Sequence, residues 1–380
     1  MISRTERSPL TDWWWSIDRL MLAALGTLML AGIVLSLAAS PPVAARIGLD
    51  AFHFVNRHVM YLAPAFIVLI TTSLLEPRQI RRLALMVFAL SLVLIVATLW
   101  FGAEVKGARR WIVLAGINVQ PSEFLKPAFV ILISWLFAES ARRPEMPANT
   151  MALGLVIPVV GLLMLQPDFG QTMLIVLIWG ALFFMAGMRW VWVGGLAGAT
   201  VAGLAGAYLT VPHVALRIRR FLDKSSGDTF QVDTALESFT RGGWFGRGPG
   251  EGTVKRILPD SHADFVFAVA AEEFGIILCL VLAALFALIV LRALMHAFRT
   301  EDAFTRFAVA GLAILFGTQS AINMAVNLHL IPAKGMTLPF ISYGGSSLVS
   351  LAYGMGMLLA LTRGRPRAEM LGTGPLGSPA

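Results

Sequence analysis

"FVFAVAAEEFGIILCLVLAALFALIVL", residues 265–291, runs for 27 residues with no basic side chain and two acids, Glu272 and Glu273. A hydrocarbon core about 30 Å thick needs about 20 mostly apolar residues of helix, so this stretch reads as a membrane span. Nine further segments qualify or nearly so, at roughly 20–40, 59–75, 83–103, 124–138, 151–165, 169–187, 190–211, 307–329 and 346–362. Composition agrees: 57% of the 380 residues are hydrophobic and 14% charged, where soluble domains average about 45–50% and 25%.

The expected fold is an all-α polytopic membrane protein of about ten transmembrane helices, with a large extracytoplasmic loop, 212–264, between the seventh and eighth. One integral membrane domain then covers 1–380, with a short N-terminal segment, 1–19, and a Gly- and Pro-rich tail, 363–380, expected to be disordered. The first apolar run exceeds a signal-peptide core and reads as a retained span. The fourth and fifth spans are short, and "LQPDFGQT" (165–172) leaves almost no loop after the fifth. Such interrupted segments mark polar cavities at membrane depth.

Short loops on one side of these spans hold fifteen arginines, among them Arg78, Arg81, Arg82, Arg142 and Arg143, against seven Lys and Arg on the other. The richer side is therefore cytoplasmic, holds both termini, and leaves 212–264 outside. Trp13, Trp14 and Trp15 suit an interfacial anchor.

The outer side is nevertheless basic in a particular way. All five lysines fall there, "EVKGARRWIVLAGINVQPSEFLK" (104–126) concentrates four basic residues, and 212–264 interleaves eight more with aromatics. Part of this charge reads as contact with anionic membrane lipids. An anionic, lipid-linked substrate fits better, with Lys and Arg for phosphates and aromatics for a sugar face or acyl chain; nucleic acid does not fit outside a cell. Lys126 lies near a short span where an unpaired cation is costly, and Glu123 is on the same helix face, so an ion pair is expected.

"TFQVDTALESF" (229–239) has Val232, Leu236 and Phe239 at helical spacing and reads as a helix resting on the bilayer. The following "RGGWFGRGPGEG" (241–252) lacks the phosphate-loop pattern and reads as a flexible turn. Glu272 lies about 12 Å deeper than Asp264 along a helix, too far for the roughly 5–9.5 Å of a glycosidase carboxylate pair. Asp264 is then the acid placed for aqueous chemistry, while Glu272 and Glu273 read as helix-fastening groups. His262 reads as loop architecture, since no metal-ligand spacing occurs, and the lone Cys279 excludes an intrachain disulfide.

The stretches "KGARRWI" (106–112), "QPSEFLK" (120–126), "QPDFGQT" (166–172), "LPDSHADFVFAVAAEEFG" (258–275) and "KGMTLPFISYGGSS" (334–347), in that order, resemble the SEDS (shape, elongation, division and sporulation) family, and the last is most like its division branch. Ser261 and Ala263, around His262, depart from that branch's usual Ala and Thr. The resemblance implies a ten-span fold and a peptidoglycan glycosyltransferase that polymerises lipid II, or lipid-diphosphate-linked glycan, at the outer face of a bacterial cytoplasmic membrane, at the division septum. It implies an FtsI-like class B penicillin-binding protein and other division membrane proteins as partners. It assigns the essential acid to Asp264 and puts Arg110, Trp111, Lys126, Gln166 and Asp168 on motif positions around the cavity, with Arg109, Glu123, Lys334 and Ser342 as further substrate-binding candidates. Asp264 would be the general base, and basic side chains would stabilise the departing diphosphate, with or without a divalent cation, Mg or Mn, bound by that diphosphate. A lipid flippase and a non-catalytic division scaffold are the competing readings.

Overall fold

The computed structural model describes residues 9–105, 108–114, 116–143, 145–187, 189–210, 214–216, 219, 230–332 and 335–364. Lys106, Lys334, residues 1–8, the tail from 365 and all of 220–229 are among those outside the described residues.

Helices dominate. After the short α1 (Pro9–Ser16) come α2 (Arg19–Arg46), α3 (His53–Ser73), α4 (Pro77–Phe101), α5 (Pro121–Arg142), α6 (Ala148–Leu165), α7 (Phe169–Met185) and α8 (Trp190–Thr210). Beyond the partly described loop lie α9 (Phe230–Gly242), a 3₁₀ turn at Val254–Arg256, α10 (Val266–Arg299), α11 (Ala303–Asn327) and α12 (Gly345–Leu361). Eight of these are long and apolar enough to cross a membrane, and α7 and α12 are shorter apolar helices of 17 residues each. Each of the ten apolar sequence segments falls on one of them.

Local chemistry sets the ends. Asp18, Asp168 and Asp302 accept from the backbone amides of Met21, Gln171 and Thr305, capping α2, α7 and α11. Pro77 and Pro121 open α4 and α5, where a missing N–H costs nothing. The core runs through α5, α11 and α12: α3 packs on α12, α4 on α5, and α10 on both α11 and α2. In α1, Trp13 is buried and donates to Ser73 Oγ at 2.8 Å, while the Arg19 guanidinium lies over the exposed Trp14 and Trp15 rings at 5.3 and 4.5 Å.

The structure departs from the sequence reading in three places. Residues 103–119 are not a plain connection; they form a three-stranded antiparallel sheet, β1 (Ala103–Val105), β2 (Ala108–Leu114) and β3 (Ile117–Val119). Helix α9 exists, but its inward face is covered by protein: Thr234, Ala235 and Ser238 are buried, and Ala235 joins Leu258, Phe265, Ala268 and Val326 in a small separate core. Leu236 points outward at 37% exposure.

The third departure is the glycine-rich stretch after α9, which is spliced into α10. Gly275 breaks that helix, with φ +84° and ψ 175°. The amides of Arg247 and Gly248 donate to the carbonyls of Glu272 and Glu273 at 3.0 Å, and the amides of Ile276 and Ile277 donate to the carbonyls of Gly243 and Trp244 at 2.9 and 3.3 Å. Backbone groups freed by the break are thereby satisfied, where leaving each bare in hydrocarbon would cost several kcal/mol. Glycine is required at the crossing: a Cβ at Gly242 would stand 1.9 Å from the Ala271 carbonyl oxygen.

Candidate active site

Asp264 sits two residues before α10, half-buried, in the turns that follow the 3₁₀ segment. Its backbone carbonyl accepts from Asn323 Nδ2 and Asn327 Nδ2, each at 3.0 Å. Asn323 Nδ2 also donates to the Met336 carbonyl at 2.6 Å. The segment 335–344 is thereby laid along residues 261–264. Two further bonds fasten it there: Ser342 Oγ donates to the Ala263 carbonyl at 2.6 Å, and the Tyr343 amide to the His262 carbonyl at 3.0 Å.

His262, Phe54 and Tyr343 form a three-ring cluster, with the His262 centroid 4.4 and 5.5 Å from the other two and those two 5.2 Å apart. Gly335, at φ +63°, passes the acid so closely that a Cβ there would lie 3.5 Å from Asp264 Oδ2. Ser342 is 2% exposed and bridges two backbones, also accepting from the Leu338 amide at 2.7 Å. Lys334, the neighbour of Gly335, lies outside the described residues.

A second cluster is built on α5. Lys126 Nζ is 2.9 Å from Glu123 Oε2 and donates to Gln319 Oε1 at 3.1 Å, and Gln171 Nε2 donates to Glu123 Oε1 at 2.7 Å. The i,i+3 spacing on α5 brings the ion pair together, and it is buried, as a pair at membrane depth must be. Beside it is a cavity of about 20 Å³, bordered by Glu123, Lys126, Gln319, Ser350, Leu312 and Phe316. That is room for about one water.

The third cluster joins β2 to the turn between α6 and α7. Strand alternation sends neighbouring residues to opposite faces, so Arg109 and Arg110 part company. Arg110 donates to the carbonyls of Gln166, at 3.1 Å, and Pro167, and its Nη1 is 3.7 Å from Asp168 Oδ2. Arg109 is 49% exposed, with Glu104 Oε2 at 3.5 Å. Gln166 is buried and donates to Thr98 Oγ1, and Trp111 is half-buried opposite Ala103 in the sheet.

These clusters are connected. The Gln171 amide donates to Asp168, the Gln171 side chain to Glu123, Lys126 to Gln319, and Gln319 Nε2 to the Thr337 carbonyl at 3.3 Å, one residue from the Met336 carbonyl that Asn323 holds. A continuous polar chain thus runs from Arg110 to the segment beside Asp264.

Sequence reading missed the α11 members, Gln319, Asn323 and Asn327. Their signal is visible in "GTQSAINMAVN" (317–327), where three carboxamides recur every fourth residue in an apolar helix. Among the described residues no group of three or more His, Cys, Asp or Glu is placed to hold a metal ion.

The family FTSW_RODA_SPOVE, described as "Cell cycle protein", matches residues 18–366. A Caulobacter vibrioides protein named "Probable peptidoglycan glycosyltransferase FtsW" is 46% identical over 367 residues, covering 96% of this chain and 94% of that one. A Trichlorobacter lovleyi protein of the same name is 34% identical over 366 residues, covering 93% and 95%. Among solved structures, a chain from work described as "Structural coordination of polymerization and crosslinking by a peptidoglycan synthase complex" superposes with a TM-score of 0.77 at 26% identity, covering 92% of this chain and 98% of that one. The Thermus thermophilus rod shape determining protein RodA gives a TM-score of 0.67 at 27% identity, covering 92% and 97%.

Proposed function

The chain belongs to the FtsW/RodA/SpoVE family of cell cycle proteins, and from that premise we propose that it is a peptidoglycan glycosyltransferase that polymerises lipid II during cell division. Two relatives named as such glycosyltransferases, each matched over more than nine-tenths of this chain, support the reading. The observation that carries it is the setting of Asp264: a half-buried carboxylate outside the apolar body of α10, on a backbone gripped by two side chains and flanked by a glycine.

In this mechanism Asp264 removes the proton from the 4-hydroxyl of the acceptor N-acetylglucosamine. That oxygen attacks the donor anomeric carbon as the bond to the lipid diphosphate breaks, with inversion, and the proton stays on the Asp264 carboxyl until water takes it. A positioned base contributes about 10² to 10⁴-fold. The diphosphate is a weak base and needs no paired acid, so one carboxylate suffices; what it needs is positive charge. Arg109, with half its side chain open, can bind phosphate directly. Arg110 and Lys126 are already engaged with protein acceptors, so they supply field and shape the wall. A divalent cation would arrive with the substrate diphosphate, and no step depends on it here.

The same reading places the multi-pass chain in the bacterial cytoplasmic membrane at the septum, with both termini cytoplasmic and Asp264 outside, working beside a class B penicillin-binding protein. Purified protein with that partner is given labelled lipid II, and products are separated on a gel. Native protein yields long glycan strands and Asp264→Asn yields none. A flippase would move lipid across vesicles without making polymer, and a scaffold would do neither. Native-rate polymer from folded Asp264→Asn would overturn the assignment.

A further inference from the structure

Three carboxamides on one stripe of a membrane helix are costly unless each finds partners. On α11 they do, and the partners lie on α5, at the start of α10, at Asp264 and at 336–337. Gln319 holds Lys126 and the Thr337 carbonyl, and Asn323 holds the carbonyls of Asp264 and Met336. Asn327 holds the Asp264 carbonyl through Nδ2, while its Oδ1 accepts from the Ala268 amide at 3.1 Å. Asn323 and Asn327 are almost wholly buried.

One backbone carbonyl, that of Asp264, therefore receives two side-chain donors, filling both its lone pairs. Asn327 also touches the first turn of α10 through Ala268, so the start of that helix and the Asp264 peptide are held by one side chain. Asn323 adds the strand of backbone at Met336, and with it Gly335 beside Asp264 Oδ2. Asn327 also fastens α11 to α10 through Ala268, but the Nδ2 donors of Asn323 and Asn327 bond α11 to the peptide of the acid and to the segment that flanks its carboxylate.

We propose that Asn323 and Asn327 are positioning residues for the Asp264 carboxylate, together fixing its peptide plane and its distance from Gly335 without touching substrate. The inference rests on reading Asp264 as the general base. Misplacement of a reacting group by about 1 Å costs on the order of 10²-fold in rate, and two donors on one carbonyl share that duty, so losing both is worse than losing either.

The test uses the full chain with its penicillin-binding partner in nanodiscs, as Asn323→Ala, Asn327→Ala and the double variant, with lipid II as the varied substrate. The expected result is a fall in kcat of about tenfold for each single variant and on the order of 10²-fold for the double. KM, and lipid II Kd measured separately by equilibrium filtration, stay within about twofold of native. Asn323→Leu keeps the side-chain volume while removing the donor, guards against collapse of the packing, and is expected to show the same split. A folded double variant with native kcat, or a rise in Kd that accounts for the lost activity, overturns the inference while native polymerisation stands. A native protein that makes no polymer overturns the reading of the site and this inference with it.

Discussion

The Lys255 ammonium donates to the Ala38 carbonyl at 2.9 Å, filling the acceptor that Pro42 leaves open in α2. Proline has no N–H to return to the residue four earlier, so the helix needs a donor from elsewhere. The loop that runs from α9 to α10 provides it. The same ammonium pairs with buried Glu273 on α10, and Glu272 beside it accepts from the amides of Thr253, Val254 and Lys255 at 2.6, 2.7 and 3.0 Å. Two helices, one short of a backbone donor at proline and one broken at glycine, are thus clasped by one loop that leads to Asp264.

Lys255→Met is expected to destabilise strongly, because it leaves Glu273 buried without its cation and reopens the Ala38 carbonyl. Removing one partner of a buried pair costs about 3–5 kcal/mol. Combining it with Glu273→Gln recovers part of that loss. Thermal unfolding in detergent measures both, and equal Tm for native and Lys255→Met would show that the pair is dispensable.

Gly246→Ala tests the splice itself. The residue lies at φ +78°, and a Cβ would stand 2.2 Å from the Glu273 carbonyl oxygen. Backbone cannot yield as a flexible side chain does, so the loop must leave the break in α10 and the bonds from Arg247 and Gly248 go with it. Protease cleavage in 241–252 should become faster, while Gly250→Ala, at φ +86° but with nothing within 4 Å, should show only conformational strain of about 1–2 kcal/mol.

The ten apolar segments are legible in the sequence because a bilayer demands contiguous apolar length whatever the packing. The position of Asp264 just outside α10 is legible because the apolar run starts at Phe265, and the Glu123 and Lys126 pair because one helix face carries both. The splice at Gly275 is not legible, since a glycine in an apolar run usually leaves a helix intact and the groups that fill this break come from the preceding loop. The sheet at 103–119 is hidden by shortness, with two of its strands only three residues long. Asn323 and Asn327 leave a periodic trace, but only the tertiary structure reveals that their partners are carbonyls beside the acid.

Gly335→Ala is expected to reduce turnover more than stability. A left-handed backbone costs a residue with Cβ about 1–2 kcal/mol, and relaxing it moves the segment that passes Asp264 Oδ2. Since Asn323 holds Met336 next door, the strain falls on the acid's flank. Single-turnover rates on lipid II would fall with Tm shifted by only a few degrees; an unchanged rate would separate Gly335 from the reaction.

Arg109 and Arg110 are adjacent in sequence and should fail in different ways. Arg110 serves the backbone between α6 and α7 through two carbonyls and Asp168, so Arg110→Ala leaves buried acceptors unmet and lowers Tm, at about 1–3 kcal/mol for the groups exposed. Among the described residues Arg109 pairs with the exposed Glu104 at 3.5 Å, a pair worth at most about 1 kcal/mol, and Arg109→Ala should leave Tm unchanged. If its guanidinium binds the substrate diphosphate, losing a charged hydrogen bond of about 1.5–3 kcal/mol raises KM for lipid II on the order of tenfold or more. That increment should shrink with added salt, because half-exposed charges are screened. Measuring KM against ionic strength for both variants distinguishes the roles, and a salt-independent KM for native protein would remove Arg109 from the substrate site.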